Sequence, residues 1–133
     1  MKYNLFLDDI RNPSDVQYYI PDDDYIDLHW LTVRNHYQFM DTIIRYYELC
    51  NVLPYRISFD HDLADTHYSQ ENQGGELDYT SFKEKTGYHC ALWLIDFCTD
   101  HNLTLPKYKC HSMNPVGKKN ILSLLDNFKI TQK

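Results

Sequence analysis

Positive charge is in short supply in this chain of 133 residues: 13 lysines and arginines stand against 19 aspartates and glutamates, a formal net charge of −6. A broad surface that tracks a nucleic-acid backbone needs the opposite balance, so any contact with RNA or DNA is confined to a terminus or a single nucleotide. Long apolar runs are missing too, and none approaches the roughly 20 residues that span a bilayer. Met1-Lys2 leads straight into Tyr3 and Asn4 with Asp8 close behind, which leaves no secretory hydrophobic region there. Cysteine is sparse, and Cys50, Cys90, Cys98 and Cys110 form no close pair. That argues against a disulfide framework and for reduced core thiols in a cytoplasmic protein. No internal repeat is visible. With 43% hydrophobic residues, the chain is expected to fold as one domain over 1–133.

What the chain does have is one design used three times. Arg56-Ile57-Ser58-Phe59 runs directly into Asp60-His61-Asp62. Tyr3 to Leu7 runs into Asp8-Asp9, and Lys107 to Cys110 into His111-Ser112-Met113-Asn114. Each reads as a short buried strand that releases ionisable residues at its carboxyl end, which is where open parallel sheets bind ligands. A further strand is expected over Ile26–Val33. Helices are expected from Asn35 or His36 to Cys50, from Tyr88 to His101 behind a Thr86 cap, and from Pro115 to about Phe128 behind Asn114. Arg11 to Asp15 reads as a turn-rich exit, and Pro21 with Asp22-Asp23-Asp24 as a solvated loop or frayed helix. The alternation predicts an α/β fold with a mostly parallel sheet of four to five strands, covered on both faces. Residues 64–86 are polar, contain Gly74-Gly75, and read as a long loop or lid with at most a short helix near Ser81–Lys85.

The chemistry follows from the strand ends. Asp8, Asp9 and Asp60 would lie side by side, and three such carboxylates cannot all ionise without a compensating charge. Hard oxygen ligands in this number suit Mg²⁺ or Mn²⁺, held by carboxylates and completed by water or phosphate. His61 and His111 suit a general base and a general acid near neutral pH, with Asp62 orienting His61. Helix starts at Thr86-Gly87 and at Asn114-Pro115-Val116-Gly117, with Lys118 and Lys119 in the first turn of the second, would offer N–H groups and positive dipole ends to a phosphate. Ser112 and Asn114 adjoin that anion site. Tyr88 could stack on a base, while Tyr18, Tyr19, Tyr46 and Tyr47 read as packing. His29, His36, His67, His89 and His101 carry no assigned role, and a zinc site built from His89, Cys90 and the strand-end histidines lacks recognisable ligand spacing.

These motifs, Leu5-Phe6-Leu7-Asp8-Asp9-Ile10-Arg11-Asn12-Pro13, Ser58-Phe59-Asp60-His61-Asp62-Leu63, Thr86-Gly87-Tyr88 and His111-Ser112-Met113-Asn114-Pro115-Val116-Gly117, resemble the cyclic-phosphate processing receiver-like domain. The resemblance covers nearly the whole chain with its motifs in order. It implies a flavodoxin-like receiver fold, a three-layer sandwich. It implies action on a cyclic phosphate, either an RNA 2′,3′-cyclic end or a cyclic nucleotide. By motif match it carries over Asp8, Asp9, Arg11, Asp60, His61, Asp62, Thr86, His111, Ser112 and Asn114. Lys118 stands where the family pattern has a basic residue, often arginine, which makes the anion contact less bidentate.

Three functions follow as expectations. The first is a metal-assisted phosphoesterase: Asp8, Asp9 and Asp60 hold the metal, and His61, His111, Asp60 and Asp62 carry the catalysis. Arg11, Thr86, Gly87, Ser112, Asn114 and Lys118 then hold phosphate. The second is a receiver phosphorylated on Asp60 with Ser112 as switch hydroxyl, disfavoured by the lack of a lysine closing a fifth strand. The third is a module that sequesters a cyclic nucleotide without cleaving it. A composition rich in tyrosine and asparagine is compatible with a phage-encoded protein acting in a host cytoplasm, where such a sponge is plausible.

Overall fold

The computed structural model describes residues 2–64, 79 and 85–132. The four strands are β1 (Asn4–Leu7), β2 (Leu31–Val33), β3 (Arg56–Phe59) and β4 (Lys107–Cys110). They form one sheet in the order β2-β1-β3-β4, with every neighbouring pair parallel. The α/β architecture expected from the motif alternation is thus present, with four strands among the described residues.

The two faces of the sheet are unequal. Alternation along the strands sends Leu5, Leu7, Ile57 and Phe59 into the larger core. There they meet α3 (His36–Cys50), α4 (Gly87–His101) and α5 (Pro115–Thr131) through Phe39, Ile43, Leu94, Ile121 and Leu125. Phe6 points the other way, into a small cluster with Val16, Tyr25 and Trp30. Among the described residues, that face is covered by the short α1 (Pro13–Val16) and α2 (Asp24–Asp27) and by the segments that follow them, with Tyr19, Ile20, Leu28 and Trp30. Fully burying one such large side chain contributes roughly 1.5–3 kcal/mol.

The helix ends follow from local chemistry. The Asn35 side chain accepts from Gln38 N at the start of α3, Thr86 accepts from Tyr88 N and His89 N at α4, and Asn114 accepts from Gly117 N at α5. Asn51 and Asn102 close α3 and α4 in the left-handed region, at φ of 57° and 55°, which asparagine tolerates better than most residues.

Two local expectations are corrected. The strand expected over Ile26–Val33 is confined to Leu31–Val33, because residues 24–27 coil into α2 instead. That coil buries Tyr25 and lets Trp30 Nε1 donate to the carbonyl of Asp24 at 2.9 Å, while Ile26 faces solvent. Cys50, expected in the core, is exposed at the end of α3, whereas Cys90, Cys98 and Cys110 are buried. Of the expected loop at 64–86, all but residues 64, 79, 85 and 86 lie outside the described residues, as does most of the helix expected near 81–85.

Candidate functional site

Strand register brings the site together. Leu7 pairs with Phe59, and Phe59 with Cys110, so β1, β3 and β4 end level. Each next residue adds one more ladder bond: Asp60 N to Leu7 O at 2.9 Å, and His111 N to Phe59 O at 3.0 Å. Asp8, Asp60 and His111 therefore stand in a row, all wholly or almost wholly buried. One side-chain ligand atom from each lies within 4.8 Å of the others.

Asp8 is heavily held. Its Oδ1 accepts from the backbone N–H groups of Ile10 (3.0 Å) and Arg11 (2.8 Å), and its Oδ2 faces His111 Nε2 at 3.0 Å and Arg11 Nη1 at 3.4 Å. Burial works against its charge, but these bonds outweigh burial and hold the carboxyl below its usual value. Behind it, His111 Nδ1 meets Ser58 Oγ at 2.7 Å, and Ser58 Oγ meets the Tyr25 hydroxyl at 2.6 Å. Phe6 stacks on the imidazole at 4.4 Å. Burial lowers the pKa of His111, opposed by Asp8 and aided by the charges of Arg11 and Lys118. A neutral ring with its proton on Nε2 satisfies the whole chain: Tyr25 donates to Ser58, Ser58 to Nδ1, and Nε2 to Asp8.

Asp60 is the opposite case. Its Oδ1 accepts from His61 N at 2.9 Å, and its Oδ2 is buried with no hydrogen-bond partner among the described residues. Burial first, and then the negative charge of Asp8, raise its pKa well above the ordinary 3.8; Arg11 opposes this and Asp9 adds to it. A buried carboxylate oxygen without a donor, facing a second carboxylate held ionised, fits a hard divalent cation such as Mg²⁺ or Mn²⁺. Asp9 is half-buried and lies outside the close group of three, though its charge reaches Asp60.

His61 forms a second group on the same edge and is fully buried. Its Nδ1 lies 2.8 Å from Asp62 Oδ1 and its Nε2 lies 2.8 Å from the Tyr79 hydroxyl. Asn114 Nδ2 donates to both Asp62 oxygens at 3.3 and 3.4 Å while its Oδ1 caps α5. With Asp62 accepting from Nδ1–H, the Nε2 lone pair is the basic position, and the Tyr79 hydroxyl sits on it.

The residues expected to cradle phosphate divide into two kinds. At α4, Gly87 N donates to His61 O at 2.8 Å, and the Tyr88 and His89 N–H groups turn to Thr86 Oγ1. A β-carbon at Gly87 would lie 1.8 Å from the carbonyl oxygen of Asp60, so this position admits only glycine. Ser112 Oγ accepts from Asn114 N at 3.1 Å. Thr86, Gly87, Ser112 and Asn114 thus brace the strand ends. Arg11 and Lys118 instead bring charge: Arg11 is felt at Asp60 and His111, and Lys118 at His111 and Cys110. Lys119 is exposed.

Several partners of the site lie outside the strand-end motifs. Tyr25, Ser58 and Tyr79 touch the imidazoles, and Tyr19, taken as packing, donates to His111 O at 2.9 Å. Arg34 directly follows β2 and braces the carbonyls of Asp8 (3.2 Å) and Arg11 (2.7 Å). A serine within an apolar strand, and an arginine directly after one, were the available signals. Tyr88, expected to stack on a base, stacks on Tyr79 at 4.2 Å.

A family model described as the cyclic-phosphate processing receiver domain matches residues 3–127. No curated protein and no solved structure matches the chain.

Proposed function

The chain belongs to the cyclic-phosphate processing receiver domain family, and from that premise we propose that it is a metal-assisted phosphoesterase that opens a cyclic phosphate, on an RNA 2′,3′-cyclic end or a cyclic nucleotide. The observation that carries the reading is the buried Asp60 Oδ2 beside Asp8, without a hydrogen-bond partner among the described residues, on the same strand edge as the His61–Asp62 pair. Asp8 and Asp60, with Asp9 at the margin, would hold Mg²⁺ or Mn²⁺. When bound, such an ion supplies Lewis-acid stabilisation of charge on the phosphate.

The chain's own groups divide the remaining work. His61, held by Asp62, takes a proton from water at Nε2 as the water oxygen bonds to phosphorus, which requires the Tyr79 hydroxyl to leave that nitrogen. The bond from phosphorus to one ribose oxygen breaks, the proton accepted by His61 is returned through solvent to that oxygen, and a phosphomonoester remains with His61 neutral again. Arg11 and Lys118 attract and orient the anion. Thr86, Gly87, Ser112 and Asn114 fix the loops that carry Asp60, His61 and Asp62. His111 reaches a leaving oxygen only in the place that Asp8 Oδ2 now holds, so its first role is to position Asp8, and direct proton donation requires that bond to open.

The test is an RNA oligonucleotide with a 2′,3′-cyclic terminus, incubated with the protein and Mg²⁺, Mn²⁺ or chelator, its end then identified by mass. Metal-dependent ring opening that is lost in His61→Ala supports the reading, and an unchanged terminus overturns it. A binding module without turnover is the second reading. It is favoured by the engagement of both imidazoles on both ring nitrogens. It predicts retention of the intact cyclic terminus.

A further inference from the structure

We infer that the cleft beside His61 is a nucleobase subsite, which makes the substrate a nucleoside cyclic phosphate and not the cyclic phosphate of a bare sugar. This inference rests on the phosphoesterase reading for the phosphate half of the ligand. The cleft encloses about 450 Å³, within the usual range for small-molecule sites, and runs along α5 past Val116, Asn120, Ser123 and Asn127. Their spacing of three and four places them on one helix face. Tyr79 and Tyr88 line the cleft too, stacked at 4.2 Å with rings 14° apart.

Two features of the cleft select a base as the occupant. Its walls combine aromatic faces with amide and hydroxyl groups, which is how single bases are stacked and read at their edges. Tyr79 also joins the cleft to the acid–base edge, because its hydroxyl lies 2.8 Å from His61 Nε2 and accepts from Asn120 Nδ2 at 3.0 Å. A nucleoside whose phosphate lies at Asp60 would find a stacking surface one tyrosine away from His61.

The test titrates wild type and variants, in Mg²⁺, with three probes: a nucleoside 2′,3′-cyclic phosphate, ribose 2′,3′-cyclic phosphate without a base, and the phosphate-free nucleoside. Calorimetry and the aromatic NMR signals are the readouts. The base-bearing cyclic phosphate is expected to bind about ten- to a hundred-fold more tightly than the base-free one. Tyr88→Ala is expected to shrink that gap and Tyr88→Phe to preserve it. If the alanine variant does not fold, Tyr88→Leu, which fills space without a π face, replaces it. Equal binding of the two cyclic phosphates overturns the base subsite and leaves the phosphoesterase reading standing. If neither cyclic phosphate binds, that reading falls, and the nucleoside alone decides: Tyr88-dependent binding supports the cleft and no binding overturns it.

Discussion

Gly117 and His61 are in direct contact: a β-carbon at position 117 would lie 2.3 Å from Cγ of the imidazole. His61 has nowhere to go, because it is fully buried with Asp62 on one nitrogen and Tyr79 on the other. In an open helix, alanine for glycine gains about 0.8–1.0 kcal/mol. Here the overpacking cost of about 1–3 kcal/mol wins. Gly117→Ala is therefore expected to lower the melting temperature, move the His61 ring signals in NMR and abolish ring opening. Unchanged stability with unmoved His61 signals would refute the contact.

A divalent ion that binds only the folded chain adds about 2.7 kcal/mol of stability at a hundredfold excess over its Kd. Mg²⁺ or Mn²⁺ is expected to raise the melting temperature of the wild type, and chelator to reverse it. Asp60→Asn keeps the shape but removes a buried charge that faces Asp8. It should melt no lower than wild type in chelator and respond far less to the ion. An equal ion-induced shift in both proteins would exclude Asp60 as a ligand.

Why these residues meet was legible in the sequence for the strand ends and not for what lies behind them. An apolar strand followed by Asp8, Asp60 or His111 is a local pattern, and parallel register converts three local patterns into one site. The Tyr25–Ser58–His111 chain links residues 33 and 53 positions apart, and no periodicity records such distances. Likewise Asp22-Asp23-Asp24 read as a solvated run, because nothing local shows that Lys109 reaches back to Asp22 and Asp24. The α4 start read as an anion site from its Thr-Gly opening, whereas its N–H groups turn to Thr86 and to the carbonyl of His61.

That lysine sets a pH dependence. Its bond holds the Asp22 carboxyl below the ordinary 3.8. A depressed carboxylate contributes stability that is present above its unfolded value and lost as pH falls through its lower folded value. Burial works against the Lys109 charge, but the bonds to Asp22 and Asp24 raise its pKa above 10.5, so its share is fully present below 10.5 and is lost as pH rises from there through the raised value. Lys109→Met should therefore be less stable than wild type at pH 7, and the difference between them should shrink as the pH is lowered below 3.8. Parallel melting curves against pH, with no narrowing, would show that the clamp adds nothing.

The buried chain that ends on Asp8 yields an ordering of effects. Ser58→Ala leaves His111 Nδ1 without its donor inside a closed site, which costs about 1–3 kcal/mol. It also releases the constraint that keeps the proton on Nε2, so Asp8 loses part of its support. Tyr25→Phe removes only the donor to Ser58, and the net worth of one such bond is about 0.5–1.5 kcal/mol. Chemical denaturation should thus rank wild type above Tyr25→Phe and Tyr25→Phe above Ser58→Ala. The double variant should fall short of the sum, because both substitutions break one network. The ¹⁵N shifts of His111 separate positioning from bulk stability: Ser58→Ala should move the ring away from the pure Nε2–H tautomer while Tyr25→Phe leaves it there. A fully additive double variant with an unmoved tautomer would mean that the three side chains merely touch, and that Asp8 is held ionised by the backbone N–H groups of Ile10 and Arg11 alone.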